Sequence, residues 1–176
     1  SGGGCFSGDT KISLTDGRSI SFTDLMRENS QGIEHYCYTI MDDGTIGIQK
    51  ITNPRMTKSN AEVVKIILDN DEEIVCTPDH LFMLKDGTYL SASQLKRADL
   101  LMPLNLEISQ IETQSGEILI MESIANNHKI KTIIPLAERI DVYDIEVPGT
   151  HNFALASGVF VHNSAKQGRS REFQAI

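Results

Sequence analysis

"SGDTKISLTDGRSISFTDL" (7–25) and "TPDHLFMLKDGTYLSASQL" (77–95) align without a gap at a constant offset of 70 residues (77 − 7). Asp9 meets Asp79, Leu14 meets Leu84, Asp16-Gly17 meets Asp86-Gly87, Ser21 meets Ser91 and Leu25 meets Leu95. Strand, turn, strand and capped helix recur in one order, because glycine accepts positive φ cheaply in the turn and a hydroxyl residue caps the exposed N–H groups of the helix. A duplicated subunit with pseudo-two-fold symmetry accounts for the match. Under the same mapping Cys5 partners Val75 and Thr10 falls opposite His80.

Working outward, short strands are predicted at Lys11–Leu14, Arg18–Phe22, Cys37–Ile40, Ile46–Ile48, Glu62–Leu68, Glu72–Cys76, Leu81–Leu84 and Tyr143–Val147. Asp43-Gly44 and Asn70-Asp71 supply further turns. Brief helices are expected near Thr23–Asn29 and Ser93–Lys96, and residues 104–131, which lack clear periodicity, as a loose connection. The fold class is all-β.

The chain has 176 residues and 40% hydrophobic content, enough for one domain with a real core. Its 16 Lys and Arg against 24 Asp and Glu leave a net charge of −8, a poor match for nucleic acid or anionic membrane. No apolar run is long enough to span a bilayer and no signal-peptide pattern is present, which predicts a cytoplasmic location. The three cysteines Cys5, Cys37 and Cys76 are odd in number and widely spaced, so neither a disulfide framework nor a zinc site follows.

Reactive residues gather at particular points. Cys5 follows three glycines, which leave the preceding carbonyl open to a thiol nucleophile. In "CTPDH" (76–80), Thr77 and His80 can both point at one peptide bond, polarising its carbonyl or protonating its leaving nitrogen. Asp144, His151, His162, Asn163 and Ser164 crowd the C-terminal part, more densely than a structural hairpin needs. The side-chain nitrogen of Asn163 can attack its own backbone carbonyl, closing a succinimide and breaking the bond to Ser164, with His162 as an adjacent proton donor. His151-Asn152 is a second His-Asn pair, but no change of texture follows it; "GVFVHNSAKQGR" (158–169) does change, from apolar to basic and polar, at Asn163-Ser164.

Together, Cys5, Thr77-x-x-His80 and His162-Asn163-Ser164 resemble the splicing motifs of inteins, which adopt the all-β, pseudo-symmetric horseshoe called the Hint fold. The resemblance covers 5–163, without the motifs of a homing endonuclease, as in a mini-intein. It implies flanks at 1–4 and 164–176, the latter similar to a segment of the B subunit of DNA gyrase. The implied reaction is self-excision: an N–S acyl shift at Gly4-Cys5 aided by His80 and Thr77, transfer to Ser164 tuned by Asp144, and cyclisation of Asn163 with His162 and His151 moving protons. An O–N shift then joins Gly4 to Ser164. The resemblance implies no metal or other cofactor, no partner beyond the flanks and their gyrase B host, and a monomer that acts once on itself. A hedgehog-type autoprocessing or cleavage-only Hint domain is the alternative; Asn163-Ser164 and the gyrase-like tail weigh against it.

Overall fold

The computed structural model describes residues 4–104, 106–112, 114–124 and 128–163. The chain opens with β1 (Phe6–Ser7), the hairpin β2 (Lys11–Ser13) and β3 (Ser19–Ser21), and helix α1 (Phe22–Ser30). A hairpin of β4 (Tyr36–Ile40) and β5 (Ile46–Lys50) leads to the long strand β6 (Thr52–Ala61), then β7 (Val64–Leu68) and β8 (Glu73–Cys76). The second copy of the hairpin follows as β9 (Leu81–Met83) and β10 (Tyr89–Ser91), with a 3-10 turn at Ala92–Gln94. The remaining strands are β11 (Leu100–Leu101), β12 (Leu106–Glu112), β13 (Ile118–Ile124), β14 (His128–Pro135), β15 (Ile140–Glu146), β16 (Asn152–Ala154) and β17 (Phe160–His162).

The fold is all-β with pseudo-two-fold symmetry, and the pairing follows the repeat residue by residue. Lys11↔Ser21, Ile12↔Ile20 and Ser13↔Ser19 in one hairpin become Leu81↔Ser91, Phe82↔Leu90 and Met83↔Tyr89 in the other. Gly17 and Gly87 turn at φ +93° and +89°, a conformation that strains a residue with a side chain. Ser21 caps α1 by accepting from the Asp24 N–H at 3.1 Å, and the Ser91 N–H is held by Gln94 Oε1 at 3.0 Å. The second helix is shorter than expected, because Leu95 swings to an extended φ, ψ of −67°, 146° and buries its side chain.

The halves meet where β1 pairs with β8 through Phe6↔Cys76, residues related by the same offset (76 − 6 = 70). Around that contact runs a seven-stranded sheet in the order β11-β14-β7-β8-β1-β15-β6. A second sheet, β10-β9-β17-β16, carries the last strands against the second hairpin. Phe6 sits fully buried between them, its ring 5.5 Å from Phe22, 6.2 Å from Phe153 and 6.4 Å from Phe82. Burying each such ring stabilises the fold by roughly 1.5–3 kcal/mol. Phe6 adjoins Cys5, so this core also fixes the chain at that cysteine.

Two expectations need correction. Residues 104–131 are not a loose connection: β12 and β13 form an antiparallel hairpin from Leu106↔Ile124 to Glu112↔Ile118, and β14 joins the large sheet. Among the described residues the two strands pair only with each other. Strand β6 departs from expectation altogether: "TNPRMTKSNA" (52–61) is polar and contains Pro54. It forms because it lies at the edge of the sheet, where proline and polar side chains are tolerated.

Candidate active site

The site assembles at the β1–β8 contact. The Thr77 N–H donates to the Cys5 carbonyl at 2.9 Å, and the Cys5 N–H donates to Thr77 Oγ1 at 2.9 Å. The Thr77 hydroxyl proton is committed to Asp79 Oδ1 at 2.7 Å. A hydroxyl has one proton, so Thr77 acts only as acceptor toward the Cys5 nitrogen, fixing the plane of the Gly4–Cys5 peptide. Asp79 thereby enters the site; its counterpart Asp9, at the repeat offset, is the sequence signal for it.

His80 lies fully inside, its ring tilted at 4.0 Å from that of Phe6 and edge-on at 5.9 Å from that of Phe82. Its Nε2 is 2.7 Å from the His162 carbonyl oxygen. A carbonyl only accepts, so Nε2 carries the proton and Nδ1 holds the lone pair. No hydrogen bond of good geometry reaches Nδ1. Burial pulls the imidazole pKa down from 6.5 to about 4, against the opposing pull of the His162 and Gly4 backbones. The ring is therefore a neutral base near pH 7. Gly4 packs hard against it: a Cβ there would lie 2.1, 2.3 and 2.6 Å from His80 Cα, Cβ and Cγ.

Cys5 is buried, and its thiol is pushed up to about 11, first by loss of solvent and further by the Asp144 charge. Against this, Thr57 Oγ1 sits 2.6 Å from the sulfur. Asp144 is fully buried in β15, where its Oδ1 accepts from the Ile145 N–H at 2.7 Å. Since Phe6 pairs with Tyr143, the antiparallel register carries Cys5 opposite Asp144.

At the other end, β17 delivers Asn163 into a buried place. Its Nδ2 donates to the His151 carbonyl at 2.7 Å while its Oδ1 accepts from the Val147 N–H at 3.1 Å. The Asn163 N–H donates to the same His151 carbonyl at 2.9 Å. His151 reaches this arrangement at φ +60°, which costs roughly 1–2 kcal/mol for a residue other than glycine. Its contribution visible here is thus its backbone carbonyl; the ring is exposed, 6.3 Å from that of His162. His162 has its pKa lowered by burial and sits edge-on to Tyr89 at 5.1 Å. Asn152, of the other His-Asn pair, is a structural residue, its amide tying β16 to Thr39 and Ile40. Cys37 and Cys76 are buried in the core.

Cys5, Thr77, His80, Asp144, His162 and Asn163 therefore converge, with His151 behind Asn163; Ser164 and residues 1–3 lie outside the described residues. Thr57, Asp79 and Tyr89 are the neighbours that sequence reasoning missed. Asp79 alone left a trace, in the repeat. Among the described residues no group of His, Cys, Asp and Glu is arranged to hold a metal ion, and no helix is long and apolar enough to cross a membrane.

A family model described as the intein splicing domain matches residues 12–163. The B subunit of DNA gyrase from Synechocystis sp. is 58% identical over 112 residues, 64% of this chain and 10% of that protein. The large subunit of DNA polymerase II from Methanoculleus marisnigri is 22% identical over 89% of this chain and 13% of its own length. The chain thus spans about a tenth of these relatives. A crystal structure of an Ssp DnaB mini-intein variant superposes with TM-score 0.72 at 21% identity, covering 91% of this chain and 98% of that one. The DnaB intein from Synechocystis sp. gives 0.66 at 24%, covering 91% and 98%. These likenesses show a common, Hint-type fold. The matched family spans most of the chain and ends at Asn163, so the chain belongs to the intein splicing domain family and its activity is autocatalytic protein splicing.

Proposed function

We propose that splicing removes residues 5–163 and joins Gly4 to Ser164, with Cys5, Ser164 and Asn163 as the groups that react in turn. The observation that carries this reading is the position of His80. Its ring lies against Gly4 at one junction and bonds the His162 carbonyl beside the other, across 82 residues of sequence.

In the first step the Cys5 sulfur attacks the Gly4 carbonyl carbon, and the carbon–nitrogen bond to Cys5 breaks. The thiol proton must end on the Cys5 nitrogen. Thr77 cannot supply it while its own proton is held by Asp79, so the lone pair of His80 Nδ1 takes the proton and passes it on. That nitrogen faces the Gly4 backbone without a well-formed hydrogen bond, which leaves it placed for the transfer. The Ser164 hydroxyl then attacks the thioester, with the Asp144 carboxylate beside the departing sulfur. Holding nucleophile and ester together substitutes for the acidity that a hydroxyl lacks, an effect reaching an effective molarity on the order of 10⁵–10⁸ M.

Asn163 releases the domain. The His151 carbonyl that accepts from Nδ2 holds the amide in place. As the nitrogen closes on its own carbonyl carbon and the bond to the Ser164 nitrogen breaks, the proton lost by Nδ2 ends on the leaving Ser164 amine, relayed by the neutral His162 ring. The ester finally moves to the freed Ser164 nitrogen, because an amide is more stable than an ester. The 58% identity to a gyrase B subunit and the gyrase-like tail support a gyrase B host in the cytoplasm.

Mass spectrometry of the chain under reducing conditions tests this. The expected products are a joined peptide of 17 residues (4 + 13) and an excised domain of 159 (163 − 5 + 1). Cys5→Ala is expected to abolish joining yet allow cleavage after Asn163, and Asn163→Ala to accumulate branched or N-cleaved species. Joining that persists in both variants overturns the assignment.

A further inference from the structure

Strand β6 is irregular where it passes Cys5. Met56 pairs with Tyr143 and Lys58 with Val142, so two steps on β6 match one on β15 and Thr57 is the extra, bulged residue. Bulges re-aim a side chain out of the alternating pattern. Here the bulge places the Thr57 hydroxyl 2.6 Å from Cys5 Sγ and 3.2 Å from the Val142 carbonyl. Val142 is itself across from Ser7 in β1, so the bulge is built against the strand that carries the nucleophile.

We propose that Thr57 is a further catalytic residue of the first acyl shift, its hydroxyl donating to the Cys5 sulfur as negative charge develops there. The inference rests on reading Cys5 as the nucleophile. One hydroxyl proton has two acceptors within reach. With a neutral thiol the Val142 carbonyl competes for it; once the sulfur carries charge, the sulfur is the stronger acceptor. The proton stays on Thr57 throughout. Bond making and breaking are those of the acyl shift alone: sulfur to the Gly4 carbon, loss of the carbon–nitrogen bond, and the thiol proton delivered to nitrogen.

The surroundings make such a donor necessary. Burial, Asp144 and Asp79 all oppose a thiolate at Cys5. On the other side stand Thr57, the largest opposing influence, and Arg55 on the same strand. Arg55 pairs across the sheet with Asp144, so β6 brings both groups that favour charge on sulfur to the face of β15 that carries the carboxylate. This explains why a polar edge strand with a proline and repeated register shifts borders the site.

The test compares two half-reactions. Cleavage after Gly4 induced by dithiothreitol is measured in the Asn163→Ala chain, and cleavage after Asn163 in the Cys5→Ala chain, each with and without a change at Thr57. Thr57→Val, which keeps the shape and removes the hydroxyl, is expected to lower the ratio of the first rate to the second about tenfold. Thr57→Ser is expected to keep the ratio within about threefold of the parent. An unchanged ratio in Thr57→Val, equal losses in both half-reactions, or a Thr57→Ser ratio as low as that of Thr57→Val overturns the proposal. Thr57→Ala is read in the same ratio if valine disturbs the bulge. Failure of the reading beneath it looks different: cleavage after Gly4 would persist in Cys5→Ala itself.

Discussion

The two copies of the hairpin share a backbone and differ in chemistry. Thr10 N–H donates to the Ser7 carbonyl as His80 N–H does to that of Thr77, and Phe22 N–H donates to the Thr10 carbonyl as Ala92 N–H does to that of His80. Thr23 N–H to Gly8 is repeated by Ser93 N–H to Pro78. The side chains diverge. In the first copy the Ser7 hydroxyl is 2.8 Å from Asp9 Oδ1 and 2.7 Å from the Thr10 hydroxyl, so the loop satisfies its own polar groups. It lines a cleft of ≈ 270 Å³ with Val75 and Leu155. In the second copy Thr77 is bonded to Asp79 in the same manner but also receives the Cys5 N–H, and His80 replaces the hydroxyl of Thr10 with a buried ring. One scaffold thus carries a closed loop and a reactive loop, separated by whether the last polar side chain is satisfied locally or aimed at the chain junctions.

The largest test of that contrast is His80→Thr, which gives the reactive loop the residue of its counterpart. General acid–base catalysis is worth about 10²–10⁴-fold, and the rate of joining is expected to fall by that much in a mass-spectrometric time course. Thr10→Ala is expected to stay within about twofold of the parent. Equal losses would mean that the copies are not functionally distinct.

Next comes the pH dependence that only one copy can carry. In the unfolded chain His80 titrates near 6.5, and in the folded chain near 4. Between those values the unfolded state binds the proton and the folded state does not, so stability falls as pH drops through that window. The loss should reach about 3 kcal/mol for a group so fully buried. Urea unfolding at neutral and mildly acid pH, in the parent and in His80→Thr, isolates it: the variant lacks this component but retains that of His162, whose lowered pKa has the same sign. Parallel pH profiles in the two chains would show that His80 is not held neutral by the fold.

The same contrast explains what is legible in the sequence. The repeat is legible because turn glycines, cap serines and alternating apolar residues are local signals: β2, β3 and β9 lie within the predicted spans, and β10 is reached only through the repeat, as the counterpart of β3. Cys5, Thr77, His80 and Asn163 are legible because their chemistry is rare in combination. Thr57 is not, since its contact with Cys5 spans 52 residues and depends on one extra residue in a strand that the sequence conceals. The His151 carbonyl is invisible for another reason. Every residue has a carbonyl, and only the left-handed turn at φ +60° selects this one. The hairpin of β12 and β13 escapes notice because its segment shows no clear periodicity in the sequence.

The smallest effects come from the matched hydroxyls, and they ask whether the shared loop geometry serves stability or reaction. Thr77 Oγ1 is the sole hydroxyl of the pair that meets a scissile peptide, so Thr77→Val is expected to slow cleavage after Gly4 by up to about tenfold, the worth of one hydrogen bond made in the reacting geometry. Ser7 is also buried, yet among the described residues its hydroxyl bonds to Asp9 and Thr10 rather than to a chain junction. Ser7→Ala should therefore lower the unfolding free energy by about 1 kcal/mol and leave the cleavage rate as it was. Thermal unfolding and dithiothreitol-induced cleavage, measured on both variants, separate the two quantities. If Ser7→Ala slowed cleavage as much as Thr77→Val, strain would pass between the loops through the Phe6↔Cys76 contact, and the closed loop would be a working part of the reactive one.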